Sequence, residues 1–275
     1  MFPGATTDRD AASYVVVGAP LDATTTFQPG TRFGPDRVRR FAESYDDYDH
    51  RTESRFSALG VADAGDVRPW DDVREYLDHL AAELRSVVYD DAVPVTVGGE
   101  HTVTHAGVEA VAPDVLVVCD AHLDLRDAYD GNPLSHACVT RRALDDLGVD
   151  RAVIVGARTG SEAEWDRAAA ADVTVVPPEE TRGWLDDFDP DAFADESVYC
   201  SVDIDGLDPG FAPGTGTKEP FGLTPREARD LVRAVAPIAD GFDVVEVNDR
   251  DDGQAAALAG KLLREFVRSH ATRPE

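Results

Sequence analysis

Short apolar runs rich in β-branched residues alternate with longer amphipathic stretches along the chain, the pattern of βα units around a largely parallel sheet. The runs predict strands at Tyr14 to Val17, Ser57 to Val61, Pro94 to Val97, Val115 to Cys119, Ala152 to Val155, Val173 to Val176, Val198 to Val202 and Phe242 to Val247. Between most of them the apolar spacing is helical: Trp70 to Val87 sets Val73, Leu77, Leu80, Leu84 and Val87 on one face. Thr224-Pro225-Arg226-Glu227 reads as a capping box with proline at the first helical position, opening a helix toward Val235. The first connection, LDATTTFQPGTRFGPDRVRR, is long and ends in a short Arg-rich helix; in a compact domain a connection of that size either serves function or covers a sheet edge. No repeat, low-complexity linker or compositional shift divides residues 1–275, so one domain is expected.

Polar residues gather where the apolar runs stop. Val115 to Cys119 gives way to Asp120, His122 and Asp124 at i, i+2, i+4. If strand geometry persists that far, all three side chains leave on one side. Val198 to Val202 is followed by Asp203 and Asp205, and the run ending at Val97 passes through Gly98-Gly99 to His101. Ligand sites in open α/β sheets lie outside the carboxyl ends of the strands, so these six residues are expected at one rim. Four carboxylates and two imidazoles in one cleft would repel and be costly to desolvate without cations. A nitrogen and oxygen set with no thiolate suits Mn²⁺, or another hard to borderline divalent ion, in a two-metal arrangement. The plainer reading, N-caps and turn formers, needs three strand ends to coincide by chance.

Composition narrows the partners. Asp and Glu outnumber Lys and Arg by 54 to 26, a formal charge of −28, and only Lys218 and Lys261 are lysines. Such a surface repels a nucleic-acid backbone or an anionic membrane. The acids are spread along the chain rather than focused, which favours a surface adapted to a high-salt cytoplasm over one that steers cationic substrates. Cys119, Cys138 and Cys200 show no CxxC spacing and read as small buried hydrophobes in a reducing compartment. The N-terminus lacks a signal-peptide pattern and no apolar run is long enough to span a membrane, so a cytoplasmic protein is expected.

GGEHT, DAHLD and SVDIDGLDPGFAPGTGT resemble the three metal-binding signatures of the ureohydrolase family, which contains arginase and agmatinase. PGTRFGPDRVR, SHACVTRR and the EVN of VVEVND extend the likeness over nearly the whole chain, in the family order. The resemblance implies a three-layer α/β/α fold around an eight-stranded, mostly parallel sheet, two Mn²⁺ ions per subunit, and hydrolysis of a guanidino group to urea and an amine. Position by position it makes His101 and Asp124 terminal ligands of one metal, His122 and Asp205 of the other, and Asp120 and Asp203 bridges between them. Glu246 corresponds to the glutamate that holds the guanidinium, and His136 to a proton shuttle. GGEH stands where many members have GGDH, and EVND where EVNP is usual; Glu100 thereby puts the surroundings of a ligand in question rather than metal binding.

A guanidinium is a poor electrophile, so its hydrolysis needs the strong nucleophile that a metal pair can generate from water. Charge-assisted hydrogen bonds to Glu246 would orient its carbon, and an imidazole of near-neutral pKa at His136 can protonate the departing amine. His105 has no motif role, and His50, His79 and His270 carry no signal. SHACVTRR and PLDATTTFQPGTRFGP look more like the agmatinase branch than the arginase branch, with Glu164 a candidate for the distal ammonium of agmatine. Hydrolysis of agmatine to putrescine and urea is therefore expected. Aminopropylagmatine, guanidinobutyrate and arginine are alternative substrates, and an inactive metal-binding regulator is an alternative of another class. The family resemblance also implies a trimer or hexamer.

Overall fold

The valine-rich runs become strands buried on both faces, as expected of a parallel sheet covered by helices on either side. The computed structural model describes residues 1–273. Its strands are β1 (Tyr14–Ala19), a small hairpin of β2 (Tyr48–Asp49) and β3 (Ser54–Arg55), then β4 (Val61–Asp66), β5 (Val93–Gly98), β6 (Val115–Cys119), β7 (Arg151–Val155), β8 (Val173–Val176), β9 (Val198–Asp203) and β10 (Ala239–Val245). Apart from the hairpin they form one eight-stranded sheet in the order β4-β1-β5-β10-β9-β6-β7-β8. Every pairing in it is parallel.

Alternation along the strands divides the core between two helical layers. Val16, Val95, Val97, Val117 and Val202 face the cluster built with α1 (Gly34–Ala42), α7 (Pro225–Val235) and α8 (Gln254–Ala271). Val15 and Val17 point the other way, against α2 (Val73–Tyr89) and α3 (Thr104–Val111). Leu116 and Val118 pack on that second side with α4 (Val139–Asp146), beside α5 (Glu162–Ala168). α6 (Pro178–Asp186) packs against α7. The expected three-layer α/β/α architecture is what forms. The capping box at Thr224 is present, and α2 begins at Val73, where Asp72 caps it by accepting from the Glu75 N–H, rather than at Trp70.

One strand expectation fails. Ser57 to Val61 is not a strand: Phe56–Ala58 is a 3₁₀ turn, Gly60 takes a positive φ of 71°, and β4 starts at Val61 and runs on to Asp66. The apolar run ended too early to show it, because β4 continues as Ala-Asp-Ala-Gly-Asp. Its Asp63 is buried at the sheet edge, where Arg39 donates to both carboxylate oxygens at 2.9 Å. Among the described residues no helix is long and apolar enough to cross a membrane, and all three cysteines are free and buried.

The four central strands matter most. β10 lies between β5 and β9, and β6 flanks β9, so the carboxyl ends of β5, β10, β9 and β6 stand side by side at one rim.

Candidate metal centre

Three of those ends, β5, β6 and β9, deliver the six ligand-type residues singled out in the sequence, and β10 delivers Glu246. His101 opens a 3₁₀ turn just after β5, Asp120 follows β6, Asp203 closes β9, and Asp205 lies in the 3₁₀ turn beyond it. Strand alternation is not what aims them. β6 stops at Cys119, and Asp124 sits in a left-handed backbone conformation with φ of 50°, which turns its carboxylate back under His101. Such a backbone costs roughly 1–3 kcal/mol and persists where the surroundings over-determine it.

Two groups of donors result, and Asp120 belongs to both: His101 with Asp120 and Asp124, and His122 with Asp120 and Asp205. His101 Nδ1 lies 3.1 Å from Asp120 Oδ2, 3.0 Å from Asp124 Oδ2 and 3.5 Å from Asp203 Oδ2. His122 Nδ1 lies 3.1 Å from Asp205 Oδ2 and 3.4 Å from Asp120 Oδ1. Further contacts brace these side chains. His101 Nε2 meets Ser201 Oγ at 3.2 Å, and that hydroxyl donates to buried Asp243 at 2.6 Å. Asp205 Oδ2 accepts from Thr217 Oγ1 at 2.8 Å, and Asp203 Oδ1 from the Asp205 N–H at 2.8 Å.

By contrast, His101 Nδ1 and Asp120 Oδ2 are buried and make no hydrogen bond. Buried polar atoms left in this state are expensive, and here they converge on one small volume. Burial pushes Asp203 well above the usual carboxylate range, helped by Asp205 and Asp120, and lifts Asp124 to about 6, helped by Asp120. Burial disfavours charge on the imidazoles too, yet the surrounding carboxylates hold His101 and His122 well above the ordinary histidine value. The group keeps protons in the places that cations would fill, so the donor set fits a pair of divalent ions.

A cavity of about 260 Å³ opens onto this cluster, with His122, Asp124, Asp203 and Asp205 in its floor. A larger groove of about 690 Å³ lies between α7 and α8 around Phe211, but no histidine lines it and it is far less suited to chemistry. His136 forms part of the active cavity's wall. Its Nδ1–H donates to Glu246 Oε1 at 2.9 Å, while the Thr26 N–H points at its Nε2 from 3.1 Å. Burial alone would keep this imidazole neutral, but Glu246 overrides it and raises the pKa to about 9. The Thr26 N–H contact uses a lone pair on Nε2, whereas the Thr26 hydroxyl, 2.9 Å away, can accept from a protonated Nε2, so a proton arriving there exchanges one Thr26 partner for the other.

Glu246 lies one layer beneath the wall, 1% exposed, with φ of 60°. Its Oε1 also accepts from the His101 N–H at 2.9 Å, and its Oε2 has no partner. Glu164 does line the cavity, but its carboxylate is occupied: Oε2 accepts from the Ser161 N–H and hydroxyl at 2.8 and 2.7 Å, and from Arg126 at 3.2 Å.

The model of the arginase family matches residues 12–268. This chain belongs to the arginase family. It is 36% identical to the N(1)-aminopropylagmatine ureohydrolase of Thermococcus kodakarensis, with 93% of this chain and 90% of that protein covered. It is also 36% identical to the agmatinase of Pyrococcus horikoshii, over 94% of this chain and 92% of that one. The solved structure of the agmatine ureohydrolase of Thermoplasma volcanium superposes with a TM-score of 0.92 at 36% identity, covering 98% and 93% of the two chains.

Some residues of this arginase-family site escaped the sequence reading. Arg126 and Tyr129 at the cavity mouth and Asp243 behind His101 lie outside every motif, while Thr26 and Thr217 on its walls and Ser201 beside His101 lie inside quoted stretches that assigned them no role. One signal was available: Ser161-Glu162-Ala163-Glu164 has capping-box spacing, and the structure forms that box, which already commits Glu164.

Proposed function

We propose that this protein is a manganese-dependent ureohydrolase that converts agmatine and water into putrescine and urea. One observation carries the reading above all: two donor groups sharing Asp120 lie at the floor of a small cavity whose wall is His136 backed by Glu246. The relatives named for agmatine and aminopropylagmatine support the choice of a guanidino substrate with an amine tail. The absence of thiolate donors and the four carboxylates favour Mn²⁺ over softer ions.

His101 with Asp124, and His122 with Asp205, would hold one ion each, and Asp120 and Asp203 would bridge. When bound, the ion pair supplies a water of lowered pKa and charge stabilisation at the guanidinium carbon. The chain supplies the rest. A guanidinium entering the cavity satisfies Glu246 Oε2 with its N–H groups, which requires His136 to give way and sets the carbon over the cluster. His136 then carries a proton on Nε2 to the departing amine and recovers one from solvent at the cavity. At the mouth a distal ammonium competes with Arg126 for Glu164, so this contact tunes the tail rather than the chemistry.

An oligomer, trimer or hexamer, a single domain over 1–275 and a salt-adapted cytoplasmic setting complete the proposal. The net charge of −28 supports the last, since its self-repulsion relaxes only when screened. The test incubates Mn²⁺-loaded protein in high salt with agmatine, aminopropylagmatine, guanidinobutyrate and arginine and measures urea. Release from agmatine is expected; none from any substrate would end the ureohydrolase reading, and release from arginine alone would end the agmatine one.

A further inference from the structure

The Glu100 side chain, on the residue just before His101, does not line the cavity, yet it is fully buried and among the described residues no cation pairs with it. Such a carboxylate needs dedicated donors, and all of its side-chain donors come from one segment of the first connection. Oε2 accepts from the Thr24 N–H at 2.7 Å and the Thr25 hydroxyl at 3.1 Å, and Oε1 from the Thr24 hydroxyl at 2.9 Å. The Thr24 hydroxyl in turn accepts from the His136 N–H at 2.9 Å. Two residues on, Thr26 holds the far end of the same histidine, its N–H at 3.1 Å and its hydroxyl at 2.9 Å from Nε2.

The backbone runs the same way. Gly99 N–H donates to Ala19 O at 2.7 Å and Glu100 N–H to Leu21 O at 2.8 Å. A Cβ on Gly99 would sit 1.9 Å from Leu21 O, so glycine is what lets the connection lie this close. Between β1 and the 3₁₀ turn at Thr31–Phe33 the connection has no regular structure of its own, and its shape at Thr24 to Thr26 therefore depends on what it is tied to.

We infer that Glu100 is a positioning residue for the reaction: it ties Thr24 and Thr25 down so that Thr24 holds the His136 backbone and the Thr26 hydroxyl, which can accept from a protonated Nε2, fixes where the imidazole presents its proton. The inference rests on the proton-delivery role proposed for His136. It separates Glu100 from an ordinary buried anchor, because its effect on turnover must pass through that ring.

The test is a double-mutant cycle on the full-length, Mn²⁺-loaded protein, reading kcat and KM for urea release, metal content and Tm. Glu100→Ala should lower kcat by about 10- to 100-fold at unchanged metal content, the scale of a misplaced catalytic group. In a His136→Ala background the same change should cost less than about twofold in kcat, while the loss in Tm appears in both backgrounds. Thr24→Val keeps the shape and removes the hydroxyl that links Glu100 to the His136 N–H. It should lower kcat about tenfold, a loss that vanishes in the His136→Ala background whatever it costs in Tm, and it covers the case in which Glu100→Ala does not fold. Equal losses in both backgrounds, or a kcat that simply follows metal content, would overturn the positioning role. If His136→Ala alone keeps full activity, the proton-delivery reading falls and takes this inference with it. If His136→Ala is impaired and both variants still multiply on it, only the inference falls.

Discussion

The floor of the cavity and its mouth are built on opposite plans. The floor is made by the ends of three strands, β5, β9 and β6, with ligand-type residues within five positions of a strand end and short contacts among neighbours. The mouth and wall are made by segments far apart in sequence: Thr26 meets His136 across 110 positions, and Arg126 meets Glu164 across a helix start. Strand ends are rigid and few, so they suit a geometry that must be held to a fraction of an ångström. Connections can vary without disturbing the sheet, so they suit the choice of substrate tail. Chemistry and selectivity should therefore be separable by mutation.

The strongest way to break this division is at the shared bridge. Asp120→Ala or Asp203→Ala should lose metal and at least about a thousandfold in kcat, several kcal/mol of stabilisation; full activity with full metal content in either would refute the bridging assignment. His136→Ala should keep its metal and lose about 10²- to 10³-fold in kcat, the range of a general acid. A floor variant that keeps its metal, or a wall variant that loses it, would blur the two regions.

Acid separates them in another way. Asp203 is raised by burial and its acid neighbours and Asp124 lies at about 6, so the metal-free cluster binds protons that must leave when ions enter. Metal uptake at pH 7 should acidify a weakly buffered solution, and below pH 6 affinity should fall by more than about tenfold per pH unit, because both imidazoles and a carboxyl must lose protons. Titration calorimetry in buffers of different ionisation enthalpy reads both, and pH-independent affinity would contradict the shared-proton description.

At the mouth the effects should be smaller. Arg126→Met frees Glu164, so KM for amine-tailed substrates should fall and KM for acid-tailed ones rise, each about three- to tenfold, with kcat within about twofold. A change of kcat with no change in ranking would move Arg126 from the mouth to the chemistry.

Smallest of all for activity is a group outside both regions. Burial, and then Arg273, lowers the His270 pKa to about 4 from an ordinary 6.5, and its Nδ1 meets Tyr14 OH at 2.7 Å. Between those values the unfolded chain binds the extra proton, so stability rises with pH there: the contribution is complete above about 6.5 and is lost as pH falls toward 4. The unfolding free energy from denaturant titrations in high salt should therefore decline over that window by on the order of 1–3 kcal/mol. His270→Gln should flatten the decline and leave kcat unchanged.

The floor was legible because each ligand-type residue follows an apolar run, and the end of a run and metal-competent chemistry coincide at Asp120 and Asp203. The layers were legible for the same reason. The family resemblance paired Asp124 with His101, and the two lie 3.0 Å apart, but a left-handed turn rather than the expected strand alternation aims the Asp124 side chain. β4 was misplaced because the strand's second half is polar and gains its stability from Arg39, a partner that no local pattern reveals. The contacts of Glu100, Thr24, Thr26 and His136 join segments with no shared period, and only the folded chain displays them.

That awkward strand has a further consequence. An open parallel sheet ends in two rows of unpaired backbone groups, each a template on which another chain could add a strand. Here one border is β4, where Asp63 and Asp66 alternate with small residues and the register against β1 shifts between Val16 and Gly18. The opposite border is β8, only four residues long. Neither offers a long, flat, apolar ladder, so crowded copies of this chain can meet through their side chains without growing into one another's sheets.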